Sequence, residues 1–217
     1  MSKIAVLSLT RQIIESVVEI FMSCPANEPS DPRVRRTRAL LQNALRDLLH
    51  EKKFGVISVQ DIAERATVNR ATFYAHFDDK YALLSCVLRS ELGAKLWSRF
   101  PKPTPLTCES LTLLAAAVFE FIGEMRTQCP DSARDMENTM GSILQEEIYE
   151  FIDTWLRIGG LAPPLRGQPR ETVATVFSWS IYGAAHRWSR SDRKQTAEDA
   201  AREISALLMP ARELSAV

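Results

Sequence analysis

The sequence predicts an all-helical protein, and three observations carry that expectation. Glycine is scarce, at 8 of 217 residues. Stretches that alternate apolar and polar residues are few, and apolar residues recur instead at the three-and-four spacing of a helix face. Prolines then divide the chain, because proline lacks the N–H and clashes with the preceding turn. Pro25, Pro29 and Pro32 close a lead segment, Pro101, Pro103 and Pro105 interrupt the middle, and Pro163, Pro164 and Pro169 interrupt it again. The expected organisation is an N-terminal extension over 1–32, a compact unit over 33–100 and a helical remainder over 106–217. In the extension, Ile13, Ile14, Val17, Val18 and Phe21 sit at helical spacing. That suits a short docked helix and a loosely held arm equally well.

The compact unit reads as four helices with their punctuation. The first runs over 34–50, with Leu41, Leu45, Leu48 and Leu49 on one face. It stops at Lys52-Lys53-Phe54-Gly55, basic residues followed by glycine. Ser58-Val59-Gln60-Asp61 has the form of a capping box, and Val59, Ile62, Ala63 and Ala66 behind it form one buried stripe. After a break at Thr67-Val68, Asn69 is placed to cap a second short helix over 70–77, with Phe73 and Phe77 inward. A fourth helix starts at Asp78-Asp79-Lys80, with Leu84, Val87, Leu88 and Leu92 as its apolar face. Two short helices joined by a tight turn and braced by two longer ones are a helix-turn-helix.

A helix fits the major groove, and its first turn presents side chains to base edges. Arg70 is the strongest candidate reader, since a guanidinium bonds guanine bidentately; Asn69 and Ala71 lie beside it. Thr72, Tyr74, His76 and Lys80 suit phosphates, which fix register without reading sequence. Arg33, Arg35, Arg36 and Arg38 open the first helix, within reach of phosphates or a minor groove. The chain as a whole is neutral, with 27 basic and 27 acidic residues. Residues 33–80 nevertheless hold ten bases and six acids, so this segment carries +4 and the remainder −4.

The run Ile57 to Ala63 through Val68, continued by Thr72-Phe73-Tyr74-Ala75-His76-Phe77-Asp78-Asp79-Lys80-Tyr81-Ala82-Leu83-Leu84, resembles the DNA-binding domain of TetR-type transcriptional regulators. The resemblance covers about residues 34–92 and adds Ser58 to the candidate DNA contacts. The family usually has Ala-Gly-Val in the turn, where this chain has Ala66-Thr67-Val68. Glycine relieves a positive φ there, so Thr67 implies a different turn or a strained one.

The remainder carries helices over 111–126, one or two over 132–157, a loop over 159–169, and helices over 171–189 and 196–208. The helix over 171–189 is apolar on more than one side, the mark of a helix packed on two surfaces. The resemblance implies a homodimer joined through the last two helices, with Val173, Phe177, Ile181, Ala184, Trp188, Ile204 and Leu208 as interface candidates. It also implies a pocket for a small-molecule effector. Trp97, Phe119, Met125, Tyr149 and Trp155 are the lining candidates, with Met136, Met140 and His186 behind them.

Other classes fare worse. The four cysteines form no C-x-x-C pair, and His50, His76 and His186 lie far apart. P-loop, G-x-S-x-G and H-E-x-x-H signatures are missing. No catalytic residue, metal site or cofactor is therefore expected, and a helical enzyme or structural module with a helix-turn-helix-like segment is the alternative. No leader is visible, and the longest apolar stretch, 111–123, contains Glu120 and falls short of the ~18 residues of a membrane span. A cytoplasmic, reduced protein is expected, bound to double-stranded DNA and not to membrane.

Arg70→Ala is expected to cost about 1–3 kcal/mol of binding and to relax preference at one base pair, read by titrating single-base variants of a bound duplex. Equal loss on every sequence would make Arg70 a phosphate contact. On sequence alone, Lys80→Ala is expected to lower the salt slope by about one per subunit.

Overall fold

The structure, a computed structural model, describes residues 31–100, 104–128, 137–159, 165, 167–191 and 195–209. Among these residues every long regular element is a helix: α1 Pro32–Glu51, α2 Val59–Arg65, α3 Arg70–Tyr74, α4 Lys80–Arg99, α5 Cys108–Gln128, α6 Glu137–Gly159, α7 Arg170–Ser189 and α8 Ala197–Leu208. A 3-10 turn, Phe54–Val56, joins α1 to α2. The fold is all-α, as expected. The extension over 1–30 and Met136 lie outside the described residues.

The chain divides into two compact units: Met1–Glu91 with Thr127–Ile143, and Leu92–Arg126 with Leu144–Val217. The boundaries fall inside α4, α5 and α6, so each of these three helices has residues in both units.

The first unit, the head, is built from local signals that the structure uses. Asp31 caps α1 by accepting from the Arg33 N–H at 2.8 Å, and Pro32 opens the helix where its missing N–H costs nothing. Leu41, Ala44, Leu45 and Leu48, at i, i+3, i+4 and i+7, bury the inner stripe. The capping box of α2 is complete. Ser58 Oγ accepts from Asp61 N at 3.1 Å, and Asp61 Oδ2 accepts from Ser58 N at 2.7 Å. Lys52 also meets Asp61, at 2.8 Å. Together the lysine and the serine hold the Asp61 carboxyl far below its ordinary range.

Asn69 Oδ1 caps α3 by accepting from Thr72 N at 2.7 Å. The helix ends at Tyr74, three residues earlier than the apolar spacing suggests. His76 N–H turns back to the Phe73 carbonyl in an i, i+3 bond of 2.9 Å, which tightens the last turn. Phe77 still points inward, its ring 6.0 Å from that of Phe73, and both are buried.

Thr67 is the one described residue other than glycine with a positive φ, at +57°. The backbone keeps the left-handed turn that glycine usually supplies, and a β-branched residue bears it. Two amide bonds require that conformation, Thr67 N to Glu64 O at 3.0 Å and Val68 N to Ala63 O at 2.9 Å. They close the end of α2 and aim the chain into α3.

The second unit buries α5 on nearly all sides, through Leu111, Leu114 to Phe119, Phe121 and Ile122. Trp97, Phe100, Phe151 and Trp155 form an aromatic cluster with ring centroids 4.9 to 6.4 Å apart. Gly123 lies under Trp188, where an added Cβ would come within 3.0 Å of the indole. Thr196 caps α8 by accepting from Asp199 N at 3.1 Å.

The left-handed backbone costs an L-residue ~1–2 kcal/mol, partly offset by glycine's greater unfolded-state entropy. Thr67→Gly is therefore expected to stabilise the head by ~0.5–1 kcal/mol, measured by denaturant midpoint at unchanged slope.

Candidate nucleic-acid interface

Helix α3 has only five residues, and its two sides do different work. Phe73 is 0% exposed and anchors the helix in the head. Asn69, Arg70, Ala71, Tyr74 and Ala75 are exposed on the other side. Asn69 uses its side-chain oxygen as the cap, also accepting from Thr72 Oγ1 at 3.0 Å. Its amide NH2 remains as a pair of donors. Arg70 donates from Nη2 to the Tyr74 hydroxyl at 3.1 Å, and its guanidinium carbon lies 5.5 Å from the centre of that ring.

The basic residues of the head sort into two groups. Arg46 pairs with Glu91 at 2.6 Å, Lys52 with Asp61, and Arg65 with Glu51 through two bonds of 2.8 and 2.6 Å. These charges are neutralised within the fold. Arg33, Arg35 and Arg36 are exposed, and none has a carboxylate partner among the described residues. They crowd the first turn of α1, which contains no acidic residue. Cations at a helix N-terminus oppose the dipole, so helix stability does not explain the placement.

Residues 41–87 match the family described as bacterial regulatory proteins, tetR family. The chain thus carries a segment similar to the DNA-binding domain of TetR-type transcriptional regulators. A curated relative is an uncharacterized helix-turn-helix-type transcriptional regulator, YxbF of Bacillus subtilis strain 168. It is 42% identical over 60 residues, 27% of this chain, and the match spans only 16% of that protein's length. The fold extends the likeness over most of the chain. RolR in complex with resorcinol superposes at TM-score 0.57 and 17% identity, covering 81% of this chain and 87% of that one. A TetR regulator from Streptococcus agalactiae 2603V superposes at TM-score 0.50 and 20% identity, covering 82% and 96%.

Several of the residues expected to contact DNA have partners within the head. Lys80, expected on phosphate, donates to the carbonyls of Phe54 at 3.0 Å, Gly55 at 3.1 Å and Ile57 at 2.7 Å. All three ammonium protons are engaged, and Nζ lies 4.7 Å from the Phe54 ring centre. Lys80 is a clamp that ties α4 to the turn before α2. Partial burial pushes its pKa down, against the pull of Asp61. Arg38 also turns inward: it donates to the His76 carbonyl at 3.1 Å and stacks 4.4 Å over Phe77. Ser58 donates its hydroxyl proton to Asp61 Oδ2 at 2.6 Å, and Thr72 donates its own to Asn69, so both hydroxyls serve caps.

In the second unit the interface expectation shifts by one side of α7. Val173, Phe177 and Ile181 are buried within this subunit and have no surface left to offer a partner. On α7 and α8 the exposed large apolar residues are Val176 and Trp179, with Trp179 56% exposed, and Leu207 at 77%. Spacing carried the signal, since Val176, Trp179, Gly183 and His186 follow the three-and-four rhythm of a second stripe. Ala184, Trp188 and Ile204 instead line a cleft of about 280 Å³ between α5, α7 and α8, together with Phe119 and Leu207. Leu208 is half-buried.

Of the lining candidates, Phe119 alone reaches that cleft. Trp97 and Trp155 pack in the aromatic cluster, Trp155 donating Nε1–H to the Thr104 carbonyl at 2.6 Å. Tyr149 is half-buried, its phenol pushed up first by desolvation and then by Asp153, Glu171 and nearby glutamates. Met125 and Met140 are half-buried. His186 stacks on Tyr182 at 5.9 Å. Among the described residues no group of three His, Cys, Asp or Glu side chains is placed to hold a metal, and no helix is long and apolar enough to cross a membrane.

Two outcomes follow. Lys80→Met is expected to destabilise the head by ~2 kcal/mol, because three carbonyls lose a charged donor. The DNA-binding salt slope is expected to stay unchanged, and a fall of one per subunit would return Lys80 to the phosphates. His76 has its pKa lowered from 6.5 by burial and by Arg38, so the unfolded chain takes its proton first on acidification. Its contribution is fully present above the unfolded pKa and is lost as pH falls through the folded one. His76→Gln is expected to flatten the decline in stability just below pH 6.5.

Proposed function

We propose that the protein is a homodimeric repressor whose two heads bind a palindromic operator and whose release follows binding of a small molecule. The observation that carries the reading is the division of α3: Phe73 is locked in the core while Asn69, Arg70, Ala71 and Tyr74 face outward. That is an exposed helix face carrying a cation, of a size suited to the major groove.

Two further features support the rest. One short helix reads few base pairs, and a two-fold pair reads two half-sites. The second apolar stripe of α7, with Leu207 of α8, is the kind of exposed patch that a subunit interface covers. The cleft beside it, lined by Phe119 and Trp188, has the size and apolar character for a small aromatic or amphipathic effector; RolR, of the same fold, is seen in complex with resorcinol. Helix α4 runs from the head into the second unit, a continuous element through which an effector that prefers one head spacing lowers operator affinity by its differential binding. A regulator held on DNA until its ligand arrives acts by occupancy, and occupancy of a promoter represses. Its place of work is the cytoplasm, where the DNA is.

Sedimentation and gel retardation test this together. Wild-type protein is expected to sediment as a dimer and to retard DNA flanking its own gene at low salt. Trp179→Glu is expected to give a folded monomer that binds at least tenfold more weakly. A dimeric Trp179→Glu variant would remove the α7 stripe from the interface, and a wild type that retards no fragment would contradict the whole reading.

A further inference from the structure

We propose that Tyr74 is a positioning residue for base recognition: its hydroxyl and ring hold the Arg70 guanidinium in the orientation from which it reads a base pair. This rests on the DNA-binding reading above and adds a determinant of specificity to it.

Arg70 and Tyr74 are four residues apart and so lie on the same side of α3, one turn from each other. Two separate contacts join them, the 3.1 Å bond from Arg70 Nη2 to the Tyr74 hydroxyl and the guanidinium over the ring at 5.5 Å. Among the described residues no carboxylate competes for Arg70. The tyrosine ring is itself braced, standing edge-on to the Phe73 ring at 5.5 Å and 84°. Phe73 is buried and touches Phe77, over which Arg38 stacks. The reader is thus connected to the core through Tyr74 and Phe73 and does not wave from a free side chain.

The donor arithmetic leaves the guanidinium able to read. Arginine has five N–H donors; one goes to Tyr74, and a bidentate contact with guanine needs two. The Tyr74 oxygen accepts that bond and keeps its own proton, available for a phosphate oxygen. A single hydroxyl can therefore couple backbone register to base reading. Arginine loses much rotamer freedom on being fixed, and fixing it before DNA arrives moves that cost out of the binding step.

The test is a double-mutant cycle on full-length protein, with Arg70→Ala, Tyr74→Phe and both changes together. A duplex first selected by wild type from a random library serves as probe. The base pair whose preference Arg70→Ala abolishes marks the read position. Tyr74→Phe keeps the ring and removes the hydroxyl at a half-exposed site, so the fold is retained, as a thermal melt verifies. It is expected to lower discrimination at that one base pair by about fivefold or more, leaving the salt slope unchanged. In the Arg70→Ala background it is expected to leave discrimination at that pair unaltered.

Equal weakening on all duplexes would make Tyr74 a phosphate contact only and overturn the inference. Improved discrimination would overturn it too, by showing that Tyr74 sequesters the arginine. Additive effects of the two changes would also contradict it. Should wild type select no sequence at all, the DNA-binding reading fails first, and that outcome is distinct because it appears before any variant is compared.

Discussion

A helix of five residues has too few internal hydrogen bonds to persist alone in water, so everything that α3 does depends on how Phe73 is buried. That one ring, 0% exposed, joins the short helix to the core of the head, and removing such a ring from a core costs ~3–5 kcal/mol. The remaining contacts set where the anchored helix points. Asn69 caps its start, the left-handed Thr67 turn fixes its approach from α2, and the Lys80 clamp ties the beginning of α4 to the turn preceding α2. Apart from the Asn69 cap, the side of α3 opposite Phe73 is thereby left exposed, with Arg70, Ala71 and Tyr74 on it.

Charge is allocated by the same logic. A neutral chain is an unpromising DNA binder until its charges are located. Arg46, Lys52 and Arg65 are neutralised by acids of the head, and Arg38 and Lys80 donate to backbone carbonyls. The arginines at the start of α1 oppose the helix dipole and are held there by no acid among the described residues. Net charge on the segment counts all of these alike. The fold separates charges that stabilise the head from those that face outward.

What was legible in the sequence follows the range of the interactions. Caps are local, so Ser58 with Asp61 and Asn69 with Thr72 could be placed from spacing alone, and the helix-turn-helix followed from them. At Thr67 the resemblance left a different turn or a strained one open, and the structure has the positive φ. The carbonyl partners of Lys80 could not be read from spacing because they lie 23 to 26 residues earlier in the chain, and only the folded turn gathers three carbonyls around one ammonium. Helix α7 shows a different limit. Periodicity revealed that two of its sides are apolar, but not that Val173, Phe177 and Ile181 face this subunit's own core while Val176 and Trp179 face outward. Aromatic residues of the second unit were ambiguous in kind: Trp155 and Phe119 have similar surroundings in sequence, yet one packs in a filled cluster and the other borders a cleft.

The structure makes α3, the helix proposed to read DNA, a fixed part of the head in the free protein. Native-state amide hydrogen exchange on the DNA-free protein tests it directly, at the Phe73, Ala75, His76 and Phe77 amides, whose bonds close back on Asn69, Ala71 and Phe73. The account predicts that these amides exchange only through unfolding of the head, with the same opening free energy as the Leu41–Leu48 amides of α1. Exchange of the α3 amides through local fraying, while those of α1 remain protected, would contradict it.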